Sequence, residues 1–142
     1  MNPHRIRLTT AAGGTYYGTP PEHLSRDYCG EAPYIASLAE QVGGLAEVAL
    51  VAGRADVMNE TDAFEVEPVK TWAAGVRQAY SYAGMTRTRP NLALYGEADY
   101  LKLYVKLRKQ APDLRLWVIR GLWWFHVTNR DTARLARLGI GQ

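Results

Sequence analysis

Residues Arg54 to Ala83 read RADVMNETDAFEVEPVKTWAAGVRQAYSYA. Within this stretch Ala63-Phe64-Glu65-Val66-Glu67 alternates apolar and acidic residues. A strand has a period of two, so Glu65 and Glu67 share one face while Phe64 and Val66 share the other. Arg54 to Met58 reads as a second strand, with Thr61-Asp62 as turn chemistry between the two. Antiparallel strands joined this tightly bring Asp56 toward Glu65. Carboxylates gathered on one sheet face repel each other, a cost that a cation among them relieves. Hard oxygen ligands of this kind suit Mg²⁺ or Mn²⁺.

Pro68 has no N–H for a sheet ladder, so it marks the end or an edge of the Glu65 strand. Thr71 is placed to N-cap a helix whose apolar positions are Trp72, Val76, Ala79, Tyr80 and Ala83. Lys70 then stands just before a helix N-terminus, where the dipole disfavours a cation by about 0.3–1 kcal/mol. The charges of Glu65 and Glu67 offset that cost. Gln78 and Tyr82 are four residues apart and share a helix face. Gln78 reads either as a contact for a substrate phosphate or metal-bound water, or as a polar rim residue. Tyr82 reads as core.

The order Asp56, turn, Glu65-Val66-Glu67, Lys70, and the spacing Gln78-x-x-x-Tyr82 resembles the PD-(D/E)XK nuclease superfamily, in its RecB-like and Holliday-junction-resolvase-like branches. The resemblance spans about residues 34–119. It implies an α/β fold with a restriction-endonuclease-like core, a central mixed sheet flanked by helices. It also implies metal-dependent hydrolysis of DNA phosphodiesters, structure-specific or end-processing rather than sequence-specific. Asp56, Glu65 and Glu67 would be the metal ligands, joined by the Val66 carbonyl, with Mg²⁺ or Mn²⁺ as cofactor. Asp56, Glu65, Glu67, Lys70 and Gln78 would form the catalytic set. The sequence departs from the family pattern at the third triplet position, where Glu67 replaces the lysine. Some members carry glutamate there and others relocate the lysine, for which Lys70 is the candidate here. The same departure supports a rival reading, a catalytically inert nucleic-acid-binding or protein-interaction module that keeps the fold.

Outward from this centre, Tyr34 to Val42 has helical spacing, ended by Gly43-Gly44. Glu40 lies on that helix; the resemblance allows a first-helix glutamate at the metal site, against a solvated one. Leu45 to Val51 reads as a strand whose Glu47 can face Asp56. Asn91 to Tyr95 and Leu114 to Ile119 read as further strands, and Asp99 to Gln110 as a helix. On that helix Lys102, Lys106 and Lys109 form a basic stripe, read either as a track for DNA backbone or as a solvated face. The adjacent tryptophans of Leu122 to Val127 suggest a homodimer seam or a stacking platform for bases, against burial in the monomer. Asp131 to Leu138 reads as a last helix carrying Arg134 and Arg137, which with the basic stripe make up the expected DNA contacts. At the other end, residues 5–10 and 15–17 read as short strands, and the stretch to about Pro33 as a loop or arm.

The chain has 142 residues, which argues for one domain: an arm over 1–33, a core over 34–119, and an aromatic strand and helix over 120–142. The single cysteine, Cys29, excludes an intramolecular disulfide and a cysteine-rich zinc site. His4, His23 and His126 lack zinc-ligand spacing. No apolar run is long enough to span a bilayer, and the start lacks the apolar core of a signal peptide, so the expected location is the cytoplasm. Residues 101–142 hold nine Lys and Arg against two acidic residues, while residues 22–67 hold ten acidic residues and little base. An acidic middle beside a basic end fits a metal centre next to a phosphate-binding surface.

Overall fold

The structure, a computed structural model, describes residues 6–9, 15–18, 31–51, 53–120 and 123–127. It is an α/β fold: a six-stranded mixed sheet flanked by helices on both faces. In chain order the elements are β1 (Ile6–Thr9), β2 (Thr15–Gly18), α1 (Ala32–Val42), β3 (Leu45–Leu50), β4 (Gly53–Met58) and β5 (Asp62–Pro68). After a single 3₁₀ turn (Val69–Thr71) come α2 (Trp72–Thr86), β6 (Arg89–Tyr95), α3 (Tyr100–Gln110), β7 (Arg115–Arg120) and β8 (Trp123–His126). The sheet runs β3-β4-β5-β6-β7-β8, and β1 pairs with β2 in a separate antiparallel hairpin that lies against β8. The pairs β5–β6 and β6–β7 are parallel, each crossed over by one helix, α2 and then α3.

Period-two alternation sorts the sheet into two cores. Phe64, Val66, Val57, Ala93, Trp117 and Ile119 face α1, which buries Tyr34, Ile35 and Leu38 against them. Leu92, Leu94, Leu116 and Val118 face the opposite way, onto Ala79 of α2 and Leu103, Tyr104 and Leu107 of α3. Glu65 and Glu67 pair with Leu92 and Leu94 in register, so they belong to the α2 face. α1 ends at Gly43, whose φ of 62° is the left-handed cap that glycine adopts without strain. α3 is capped by Asp99, whose Oδ1 accepts from the Lys102 N–H at 3.0 Å.

Several expectations change. Thr71 occupies the N-cap position of α2 but does not cap it; its hydroxyl donates to Glu67 Oε2 at 2.7 Å. Asp62 is a buried residue of β5, and the turn is made instead by Asn59, whose Oδ1 accepts from the N–H groups of Thr61 and Asp62 at 2.9 Å each. Trp124 is 1% exposed and packs in the α1-side core, so it offers no surface to a dimer partner or to a base. The helix expected over 131–138, with Arg134 and Arg137, and the loop holding Cys29 lie outside the described residues. No helix among the described residues is long and apolar enough to cross a membrane.

Candidate functional site

The ladder between β4 and β5 is short: Met58 pairs with Ala63 and Val57 with Phe64, and there it stops. Beyond that point the strands diverge, and Asp56 fills the gap. Its Oδ2 accepts the backbone N–H of Val66 at 2.8 Å, a bond that a neighbouring strand would otherwise supply. Asp56 and Glu65 thus stand together in the cleft between the two strands. Gln78 reaches down from α2. With its amide nitrogen turned toward the sheet, it donates to Glu65 Oε2 at 2.9 Å and to Glu67 Oε1 at 3.1 Å. Asp56, Glu65, Glu67 and Gln78 therefore converge.

The approach of α2 depends on Gly75. A Cβ there would lie 2.6 Å from Leu92 Cδ1 and 2.7 Å from Glu67 Cγ, closer than packed atoms come. Tyr82, one turn beyond Gln78, is core as expected, its hydroxyl resting over Gly53. A side chain on Gly53 would meet that oxygen at 2.7 Å.

The electrostatics are those of crowded acids. Burial, then the charges of Asp56 and Glu67, push Glu65 up to about 9, so at neutral pH it keeps a proton that it shares with Asp56. Burial also raises Asp56, in spite of the Val66 N–H that favours its charged form. A fourth carboxyl joins them. Glu31, immediately before α1, is pushed up to about 7 by burial and by the charges of Asp56 and Glu67. Tyr95, at the end of β6, is pushed up to about 12 by burial and the Glu31 charge, so its phenol stays protonated. Glu65 Oε1 is buried with no hydrogen-bond partner.

The chemistry of the donor set fits a hard divalent cation: carboxylate oxygens, a glutamine amide, and one buried oxygen without a donor. As the side chains stand, no group of three or more His, Cys, Asp or Glu among the described residues is gathered closely enough to hold a metal ion. Pairing without a cation is instead met by the retained proton.

Other expected contributors lie elsewhere. Lys70, in the 3₁₀ turn, makes no ion pair with Glu65 or Glu67; it lines a groove with Trp72, Lys102 and Lys106. Glu47 pairs with Arg54 at 3.9 Å, on a backbone with φ of 54°. Glu40 is exposed on α1. Lys109 is exposed near the end of α3. The sequence reading started α1 at Tyr34 and so passed over Glu31. The signal was present in Ala32-Pro33, because proline favours the first turn of a helix.

At the opposite end of β5 a second polar centre holds the strands together. Asp62 accepts from Arg89 Nε and Nη2 at 3.0 and 2.7 Å, from Asn91 Nδ2 at 2.9 Å, and from Arg115 Nη1 at 3.3 Å. Asn91 Oδ1 in turn accepts from Trp117 Nε1 at 2.9 Å. These bonds hold Asp62 below its ordinary pKa despite burial. The Asp62 carboxylate and the Asn91 amide are both engaged by other protein groups, which marks the cluster as a structural clamp.

Comparison of the chain with protein-family models, with curated proteins and with solved structures finds no match.

Proposed function

We propose that the chain is a metal-dependent phosphodiester hydrolase acting on DNA, built on a restriction-endonuclease-like core. The observation that carries this reading is the convergence of Asp56, Glu65 and Glu67 under Gln78, in a cleft opened where β4 leaves β5. A sheet does not gain stability by burying carboxyls that repel each other, so the arrangement points to a ligand that needs them. Asp56 and Glu65 would hold Mg²⁺ or Mn²⁺, with Glu67 and Glu31 close by. When bound, such an ion supplies an acidified water and screens the charge that builds on the phosphoryl group.

The chain's own residues have separable tasks. Gln78 fixes the rotamers of Glu65 and Glu67 by bridging them. Thr71 holds the second oxygen of Glu67. Glu67, less buried than Glu65, is then suited to accept a proton from an attacking water. Lys70 lies on the substrate side, where it would bind phosphate. DNA contacts along Lys102, Lys106 and Lys109, and from Arg134 and Arg137, belong to the same proposal.

A second reading is an inert nucleic-acid-binding module with the same fold. The glutamate at the third triplet position favours it, together with a Lys70 that makes no ion pair with the carboxylates. Cleavage of single-stranded, duplex and branched DNA with Mg²⁺ or Mn²⁺ separates the two. Metal-dependent products that vanish in the Asp56→Asn and Glu65→Gln proteins support the hydrolase. No product on any substrate, from folded protein, leaves the binding module.

A further inference from the structure

Beside the carboxylates, the amino ends of α2 and α3 enclose a groove of about 400 Å³. Its lining includes Lys70, Lys102 and Lys106, the Trp72 indole, and an apolar floor of Val69 and Leu103. Lys106 Nζ stands over the Trp72 ring, 5.1 Å from its centre. The groove adjoins the candidate site directly: Thr71, flanked by Lys70 and Trp72, donates its hydroxyl to Glu67. No more than about 11 Å of chain separates Glu67 from Lys70, since each residue spans at most ~3.6 Å. That distance is short enough for one nucleic-acid strand to lie across both.

We propose that this groove binds a single strand of DNA, with one unstacked base on the Trp72 indole and the flanking phosphates on Lys70, Lys102 and Lys106. The inference rests on the hydrolase reading for its direction, from groove to carboxylates, but the binding itself does not depend on cleavage. Lys106 over the indole, with Lys70 and Lys102 lining the same groove, matches the alternation of phosphate and base in a single strand. A cavity of this size takes roughly one nucleotide's worth of atoms, and a stacked duplex has no free base face to offer it. Glu97 and Asp99 also border the groove, but Asp99 is committed to capping α3. Lys106 gives up its place over the indole because an exposed cation–π contact is worth about 0.5–1 kcal/mol, whereas base stacking is worth about 1–3 kcal/mol.

The test is binding of fluorescent oligothymidylate, an abasic oligomer and a hairpin duplex to the full chain in EDTA, across a salt series. Wild type should prefer the oligothymidylate, with log affinity falling against log salt by about 0.7 for each lysine engaged. The Lys102→Ala/Lys106→Ala protein should bind at least about tenfold more weakly, with a slope shallower by about 1.4. Both lysines are exposed, so its melting temperature should stay near wild type. Trp72→Leu keeps an apolar side chain but removes the π face. It should weaken oligothymidylate binding by about 5- to 100-fold and leave the abasic oligomer unchanged. Unchanged affinity in both variants, or equal affinity of wild type for the duplex, overturns the groove. If the groove pattern appears but no metal supports cleavage, the hydrolase reading alone falls. If cleavage occurs and the variants bind normally, the groove alone falls.

Discussion

The backbone N–H of Val66 donates to the side chain of Asp56 at 2.8 Å, at the point where the pairing of β4 with β5 has ended. One carboxylate oxygen thus completes the sheet, while the group as a whole faces Glu65. This structural role and the proposed chemical one fall on the same side chain, and two substitutions separate them. Asparagine keeps an oxygen for the Val66 N–H and loses the charge. Alanine loses both and leaves a buried N–H unpaired, at a cost of about 1–3 kcal/mol. Asp56→Asn should therefore fold as stably as wild type in EDTA and lose Mg²⁺-dependent cleavage, whereas Asp56→Ala should melt measurably lower. Equal melting of the two variants would remove the structural role.

Glu65 gives a pH prediction whose sign is set by its raised pKa. The folded chain binds the proton more tightly than the unfolded chain, whose ordinary value is 4.5. The stability this contributes is complete below about pH 4.5 and is lost as pH rises toward about 9. Glutamine carries no such dependence. In EDTA the Glu65→Gln protein should gain on wild type as pH rises, by roughly 2–4 °C for each kcal/mol recovered. Millimolar Mg²⁺ should raise the melting temperature of wild type and leave that of the variant unmoved. Parallel melting curves from acid to alkaline pH would show that Glu65 ionises freely.

Asp62 should behave in the opposite sense. Its pKa is lowered by Arg89, Thr61 and Asn91, so its stabilisation is present above the unfolded value of 3.8 and lost as pH falls through the folded value. Asp62→Ala takes a hydrogen-bond partner from the buried Asn91, while the exposed Arg89 turns to water, and should cost about 1–3 kcal/mol. The clamp sits at the far end of β5 from Glu67. Cleavage per folded molecule, measured well below the melting temperature, should therefore match wild type. A specific loss of activity at full folding would place Asp62 in the functional machinery.

The alternation around Glu65 and Glu67 was legible in the sequence because a strand's period is local, and the element order followed from it. The convergence of Asp56 with Glu65 was legible for the same reason, through a link of only a few residues. Glu31 was not, because its approach depends on how α1 docks over the sheet. The Asp62 clamp joins residues up to 53 apart in the chain and leaves no local pattern. Lys70 stands just before a helix as its position implied, but the 3₁₀ turn that places it in the groove beside α3 leaves no local pattern. Trp123-Trp124 read as surplus aromatic surface, but Trp124 is absorbed by a core that already holds Trp117 and Tyr34.

Two glycines of α2 provide a last, internally controlled test. Gly75 faces β5 and β6, where an added methyl would press on Leu92 Cδ1 and Glu67 Cγ. Gly84, about two and a half turns later on the same helix, has nothing within 4 Å of where a Cβ would lie. Alanine favours a helix over glycine by about 0.5–1 kcal/mol, so Gly84→Ala should stabilise the protein by about that amount and leave activity alone. Gly75→Ala gains the same propensity but must overpack the interface, which costs about 1–3 kcal/mol. The net effect should be a loss of stability. It should also lift Gln78 from Glu65 and Glu67, so Mg²⁺-dependent activity should fall further than the stability loss explains. Denaturant melts and cleavage rates on the two proteins decide this. If Gly75→Ala is as stable and as active as Gly84→Ala, then close packing of α2 does not position Gln78.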